Sequence, residues 1–105
     1  GGGMIATVSS VLSSIAESSP NSASYAYRTS KAAVNMAMHV FAEEVRDQNV
    51  AVILLHPGWV QTDMGGVGAA IDARTSVTGV RKVLAGAGMA ESGRLFAYDG
   101  REIPW

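Results

Sequence analysis

The sequence predicts an α/β domain built on a parallel sheet, and three observations predict it. Short apolar runs of strand length alternate with longer stretches of helical spacing, in the order strand, helix, strand, helix, strand. One run, Val50-Ala51-Val52-Ile53-Leu54-Leu55, is apolar without alternation, the pattern of a strand covered on both faces. Residues that end elements fall between these runs: Asn49, Pro57, Gly86 and Gly88.

The elements follow in order. Met4 to Val8 is a β-prone run between glycines and serines and reads as a buried strand. Val11 to Ser24 is serine-rich and carries Pro20 and Asn21, so it reads as a loop. From about Tyr25 to Asp47 the spacing predicts a helix, with Ser22 or Ser24 as cap. Ala26, Ala33, Val34, Ala37, Met38, Phe41, Ala42 and Val45 form its broad apolar side. Val50 to Leu55 is the second strand, and Pro57 holds His56 extended and ends it. Thr62 to Ala70 is a glycine-rich loop. Asp72 can cap a second helix with Val77, Val80, Val83 and Leu84 inward, stopped by Gly86 and Gly88. Leu95 to Tyr98 is the third strand, followed by an Asp99-Gly100 turn and a tail ending at Trp105. The first strand is expected to have an unfilled edge.

At 105 residues the chain holds one domain at most. A net charge of -1 gives no reason to expect nucleic acid or an anionic membrane as a partner. No apolar run reaches the roughly 18–20 residues that span a bilayer. No basic segment precedes an apolar one as in a signal peptide, and a cytoplasmic location is the expectation. Cysteine is absent, which excludes disulfides and thiolate metal sites, and His39 and His56 lack further ligands at metal spacing; no metal is expected.

Chemistry concentrates at Tyr27-Arg28-Thr29-Ser30-Lys31. Residues four apart share a helix face, about 6 Å apart along the axis. A tyrosine phenol ordinarily titrates near ~10. A cation held beside it favours the ionised form and makes proton transfer practicable at neutral pH. Tyr25 is a weaker candidate, because Thr29 brings no charge. By itself Tyr-x-x-x-Lys is a common accident; here it opens a helix between a serine-ended strand and a strand ending in Pro-Gly.

That constellation resembles the short-chain dehydrogenase/reductase family. The stretches Tyr25 to Lys31, His56 to Gly66 and Asp99 to Trp105 are similar to the sniffer and C-factor group of carbonyl reductases. The resemblance implies the C-terminal part of a Rossmann-type doubly wound parallel sheet, with about three strands and two main helices. Residues 1–105 would form a single partial domain. It further implies that Tyr27 transfers a proton to or from the oxygen of a small carbonyl or alcohol substrate while a nicotinamide transfers hydride. Lys31 would also hold the nicotinamide ribose, and a serine would hydrogen-bond the substrate oxygen. Ser10, at the strand end, and Ser14, thirteen residues before Tyr27, compete for that role, and Ser10 is preferred. Pro57, Gly58, Val60 and Thr62 would receive the nicotinamide, NADP or NAD. Met64 to Ala70 would form a lid, and Trp59 would line the substrate pocket or meet the tail. The long helix would pair with its copy in a homo-oligomer.

The turn that binds pyrophosphate, a strand followed by a glycine-rich loop and a helix, is missing from the sequence. The chain alone is therefore expected to bind cofactor poorly and turn over little or nothing. An alternative is a non-catalytic remnant that keeps the fold for dimerisation. A nucleotide-sugar epimerase shares Tyr-x-x-x-Lys, but the segment after the third strand is too short for that class's substrate domain.

Overall fold

The structure, a computed structural model, describes residues 2–18, 25–58, 60–61 and 71–105, with backbone alone for 60 and 61. Strand β1 spans Gly3–Val8, helix α1 Tyr25–Glu44, β2 Val50–His56, β3 Val60–Gln61, β4 Ile71–Asp72, helix α2 Ala73–Gly86, β5 Leu95–Ala97 and β6 Glu102–Ile103. The main sheet runs β1-β2-β5-β6. β1 lies parallel to β2, with Gly3 opposite Val50 and Val8 opposite Leu55. β2 lies parallel to β5, with Leu54 opposite Leu95.

β2 is the middle of the molecule. Ala51 through Leu55 are all buried. Alternation sends them to opposite faces. Leu54 joins Leu95, Ala97 and Ile103 under Val11 and Met38, which is the α1 side. Ala51, Ile53 and Leu55 meet Val80, Val83, Leu84, Ala87 and Met89 on the α2 side. The continuous apolar run thus has the physical cause assigned to it: a parallel strand with a helix on either face.

Several expectations need correction. The main sheet has four strands and not three: within the tail, Glu102–Ile103 adds an antiparallel strand, pairing Ile103 with Leu95. Ile103 is buried, which supplies the reason for the strand. Two short strands, β3 and β4, pair in parallel on either side of 62–70. α1 ends at Glu44; a short 3-10 turn, Arg46–Gln48, and Asn49 at φ 58 complete the connection. Only Ala42 and Asn35 of α1 are buried, while Ala33, Met36, Ala37 and Val40 stand exposed. The sheet reaches only part of the helix's apolar girth. Val77 is exposed as well, on the flank of the stripe formed by Val80, Val83 and Leu84. The proposed caps Ser22 and Ser24, together with Trp59, Thr62 and the glycine-rich segment to Ala70, lie outside the described residues.

Other expectations hold. Asp72 caps α2 by accepting from the Thr75 N–H at 2.7 Å, and that bond holds its carboxyl below the usual range. β1 has the expected unfilled edge, but it is not the buried strand that its apolar run suggested: Met4, Ile5 and Val8 are exposed, because among the described residues nothing covers an edge strand on its outer side.

The approach of α2 to the end of β5 is close. A Cβ at Gly79 would overlap the Tyr98 carbonyl oxygen, which is backbone and cannot step aside. Alanine in a helix is favoured over glycine by about 1 kcal/mol, but overpacking costs about 1–3 kcal/mol. Gly79→Ala is therefore expected to lower the urea midpoint despite its better helix propensity. A raised midpoint would show that α2 stands off Tyr98.

Candidate active site

The carboxyl ends of β1, β2 and β5 face one side, where open α/β sheets receive their ligands. β1 delivers Ser9 and Ser10, and the Ser9 N–H continues the ladder to the Leu55 carbonyl at 2.6 Å. A 3-10 turn, Val11–Ser13, follows and packs against α1. Its first N–H, of Val11, donates to His56 Nδ1 at 3.1 Å, which ties the end of β1 to the end of β2.

Ser10 and Ser14 are both buried, yet their hydroxyls are used differently. Ser10 Oγ accepts from the Leu12 N–H at 3.1 Å, capping the turn. Among the described hydrogen bonds it donates none. Ser14 Oγ donates to the Pro104 carbonyl at 2.5 Å and accepts from the Glu17 N–H at 3.2 Å. Its one hydrogen is already spent on the tail.

Three further contacts hold that tail. The Ile15 N–H donates to the Trp105 carbonyl at 2.5 Å, and Arg101 pairs with Glu17 at 2.7 Å, which keeps the Glu17 carboxyl low. The Trp105 ring meets His39 edge-on at 5.9 Å, while His39 Nδ1 bonds the Gly93 carbonyl at 2.9 Å. His39 is thus structural.

Tyr27 and Lys31 lie in the first two turns of α1, beside this serine turn. Lys31 Nζ stands 5.8 Å from the centre of the Tyr27 ring, within the range at which a cation attracts a ring face. Tyr27 is 43% exposed. Arg28 reaches back to the Leu12 carbonyl at 3.5 Å, joining the helix start to the Ser10 turn.

After β2, Pro57 and Gly58 turn the chain, with Gly58 at φ +84, in the left-handed region that favours glycine. A side chain there would strike Ile71 Cδ1 and the Tyr98 ring. Ser76 of α2, buried, donates to the Pro57 carbonyl at 2.6 Å and fixes the turn against the helix. The backbone of Val60 lies in β3, while Thr62 is outside the described residues.

Sequence reasoning missed Ser9, Ser13, Asn35 and Ser76. Asn35 carried the available signal: it is the one amide side chain in α1, two turns beyond Tyr27. Among the described residues, one cavity of about 560 Å³ lies beside Thr78, Lys82 and Tyr98, and another of about 380 Å³ lies between Asn35, His39 and Trp105. Neither is lined by Tyr27, Lys31 or Ser10. Among the described residues no group of three or more His, Cys, Asp or Glu could hold a metal ion, and no helix is long and apolar enough to cross a membrane.

The fold and the position of Tyr27 and Lys31 define a class. A family model for short chain dehydrogenase matches residues 1–73, and the chain belongs to that family. Among its relatives, C-signal of Myxococcus xanthus is 46% identical over 101 residues, covering 96% of this chain and 60% of that protein. The carbonyl reductase Sniffer of D. melanogaster superposes with a TM-score of 0.89 at 37% identity, over 97% of this chain and 41% of its own. An NADPH-bound carbonyl reductase from chicken fatty liver gives 0.88 at 33% identity, over 97% and 42%. The chain thus spans less than two thirds of the relatives it matches. The resemblance read from the motifs is borne out, as is the Rossmann-type α/β class with its parallel-dominated sheet. The family's cofactor is a nicotinamide dinucleotide, NAD or NADP.

His56 gives the site a pH dependence. Burial, reinforced by the Arg101 charge and opposed by Asp99 and Glu17, holds its pKa below the ordinary 6.5. The unfolded chain therefore takes up this proton at a higher pH than the folded one. Stability is full above the unfolded value and falls as pH drops through ~6.5 toward the folded value. Protonation would also remove the acceptor that Val11 N–H uses. The melting temperature should fall between pH 7 and pH 5.5, and this component should vanish in His56→Asn. An unchanged slope in that variant would assign the effect elsewhere.

Proposed function

We propose that these 105 residues are one partial domain, the catalytic C-terminal part of an NAD(P)-dependent carbonyl reductase. The observation that carries this reading is the Ser10 hydroxyl. It is oriented by the Leu12 N–H, donates to no described group, and caps the turn whose Leu12 carbonyl is reached by Arg28, which lies between Tyr27 and Lys31 on α1. When bound, the nicotinamide supplies the hydride that reduces the carbonyl carbon of a small substrate to the alcohol. Tyr27 Oη gives the proton to the oxygen, and Ser10 Oγ–H donates a hydrogen bond to the same oxygen as charge develops. Lys31 holds the ribose hydroxyls. The Pro57-Gly58 turn, with Val60 and Thr62 beyond it, receives the carboxamide. Ser14 is left out of the chemistry, because its hydrogen is committed to Pro104.

The proposal extends to three consequences. Alone the chain is inactive, for want of a pyrophosphate-binding turn. It acts in the cytoplasm. It also associates through α1, where the exposed Ala33, Met36, Ala37 and Val40 form one stripe at helical spacing. That stripe is equally what favours the second reading, a non-catalytic association module.

A chimera tests the first reading: residues 1–105 joined to the preceding half of the fly carbonyl reductase, assayed with NADPH and an aromatic aldehyde. Tyr27→Phe should lower kcat by at least about 100-fold, and Ser10→Ala by about 100–1,000-fold. Ser14→Ala should lower the melting temperature but spare most of kcat. A Ser14→Ala loss as large as that of Ser10→Ala would reverse the assignment. Stabilisation of the isolated chain by micromolar NADPH or NADH would refute its incompetence. For association, light scattering should give a dimer or larger that Met36→Glu dissociates; a monomer at all concentrations would remove that part.

A further inference from the structure

We infer that Asn35 is the positioning residue for Ser10, and this rests on the reading of Ser10 given above. Asn35 is 3% exposed in a helix position that the surrounding pattern would fill with an apolar side chain. A buried amide without partners is destabilising, and here both ends are engaged. Ser9 Oγ lies 2.6 Å from Oδ1, and Nδ2 lies 2.5 Å from Ser13 Oγ. Ser13 Oγ in turn donates to the Ser10 carbonyl at 2.5 Å.

Proton bookkeeping fixes the direction of the chain. A serine hydroxyl has one hydrogen. Ser13 spends its hydrogen on the Ser10 carbonyl, so it must accept from the amide NH2 of Asn35. The amide oxygen then faces Ser9, which must donate. Three bonds therefore run head to tail from Ser9 through Asn35 and Ser13 to Ser10. Ser10 is clamped on both sides, by the side chain of its predecessor and by its own carbonyl, and its Oγ is left to the Leu12 N–H.

The clamp also sets a distance. Tyr27, Lys31 and Asn35 recur every four residues on one side of α1. The residue that anchors the serine turn is thus rigidly tied, through two turns of helix, to the residues that face the substrate. Displacement of a reacting group by about 1 Å costs on the order of 100-fold in rate, so the link is worth making in buried hydrogen bonds.

Amide exchange on the 105-residue chain reads the clamp without any reaction. In Asn35→Ala, and in the milder Ser13→Ala, the Leu12 and Ser13 amides should exchange at least about tenfold faster relative to Val52–Leu55 of β2. Ser92→Ala is the control, since it removes a buried hydroxyl that accepts from the Val52 N–H, away from the serine turn. It should lower the melting temperature without that preference. Equal acceleration at Leu12 and in β2, in both Asn35→Ala and Ser13→Ala, would overturn the inference. In the chimera, Asn35→Ala should reduce kcat by about 10–100-fold with the KM for NADPH unchanged. Added to Ser10→Ala, it should reduce kcat no further, because a residue acting through Ser10 has nothing left to position. Full additivity would mark a general structural role and sink the idea. If Ser10→Ala itself has no effect, the reading of the site fails. If Ser10→Ala is costly and Asn35→Ala is not, this inference alone fails.

Discussion

Everything in this molecule depends on β2 being buried on both faces. A strand in that position must satisfy its backbone through neighbours on either side and hide alternate side chains under two helices. β1 and β5 supply the backbone partners, and α1 and α2 supply the cover. The placement of the proposed site then follows from register. With Val8 opposite Leu55, the serines after β1 emerge level with the His56-Pro57-Gly58 turn after β2. A shift of one residue would break the ladder from Ser9 to Leu55 and the bond from Val11 to His56.

The two serines that the sequence left in competition show how burial alone misleads. Both are hidden, and Ser14 is the more hidden. What separates them is the use of one hydrogen. Ser14 has given its own to the tail, whereas Ser10 receives a bond and, among the described hydrogen bonds, donates none. A hydroxyl that accepts from a fixed backbone donor is pre-aimed for donation elsewhere, at no cost in reorganisation.

Much of this was legible in the sequence, for identifiable reasons. Val50 to Leu55 announced a two-sided strand because nothing polar interrupts it, and Asp72 announced a cap. Tyr27 and Lys31 stood out by their setting, at the start of a helix between a serine-ended strand and a strand ending in Pro-Gly. The rest depends on contacts between distant segments. Glu102–Ile103 became a strand because Leu95 needed a partner, and no local pattern marks two residues as a strand. Asn35 disappeared within an apolar stripe, and its meaning came only with Ser9 and Ser13, more than 20 residues away. The exposure of Val40 and Val77 was hidden for the opposite reason: periodicity tells which side is apolar, not how far the sheet extends beneath it.

The pairing scheme also carries a kinetic meaning. β5 and β6 close through a tight turn at Asp99-Gly100, so that pairing is local and inexpensive in chain entropy. β1 meets β2 only after the whole of α1 has been threaded between them, since Gly3 sits opposite Val50. Non-local pairings of this sort slow folding more than they affect final stability. The pairings of β1 with β2 and of β2 with β5 are accordingly the costly ones to recruit. In a refolding chain the serine turn after β1 therefore waits on a long loop closure that the β5–β6 turn is spared.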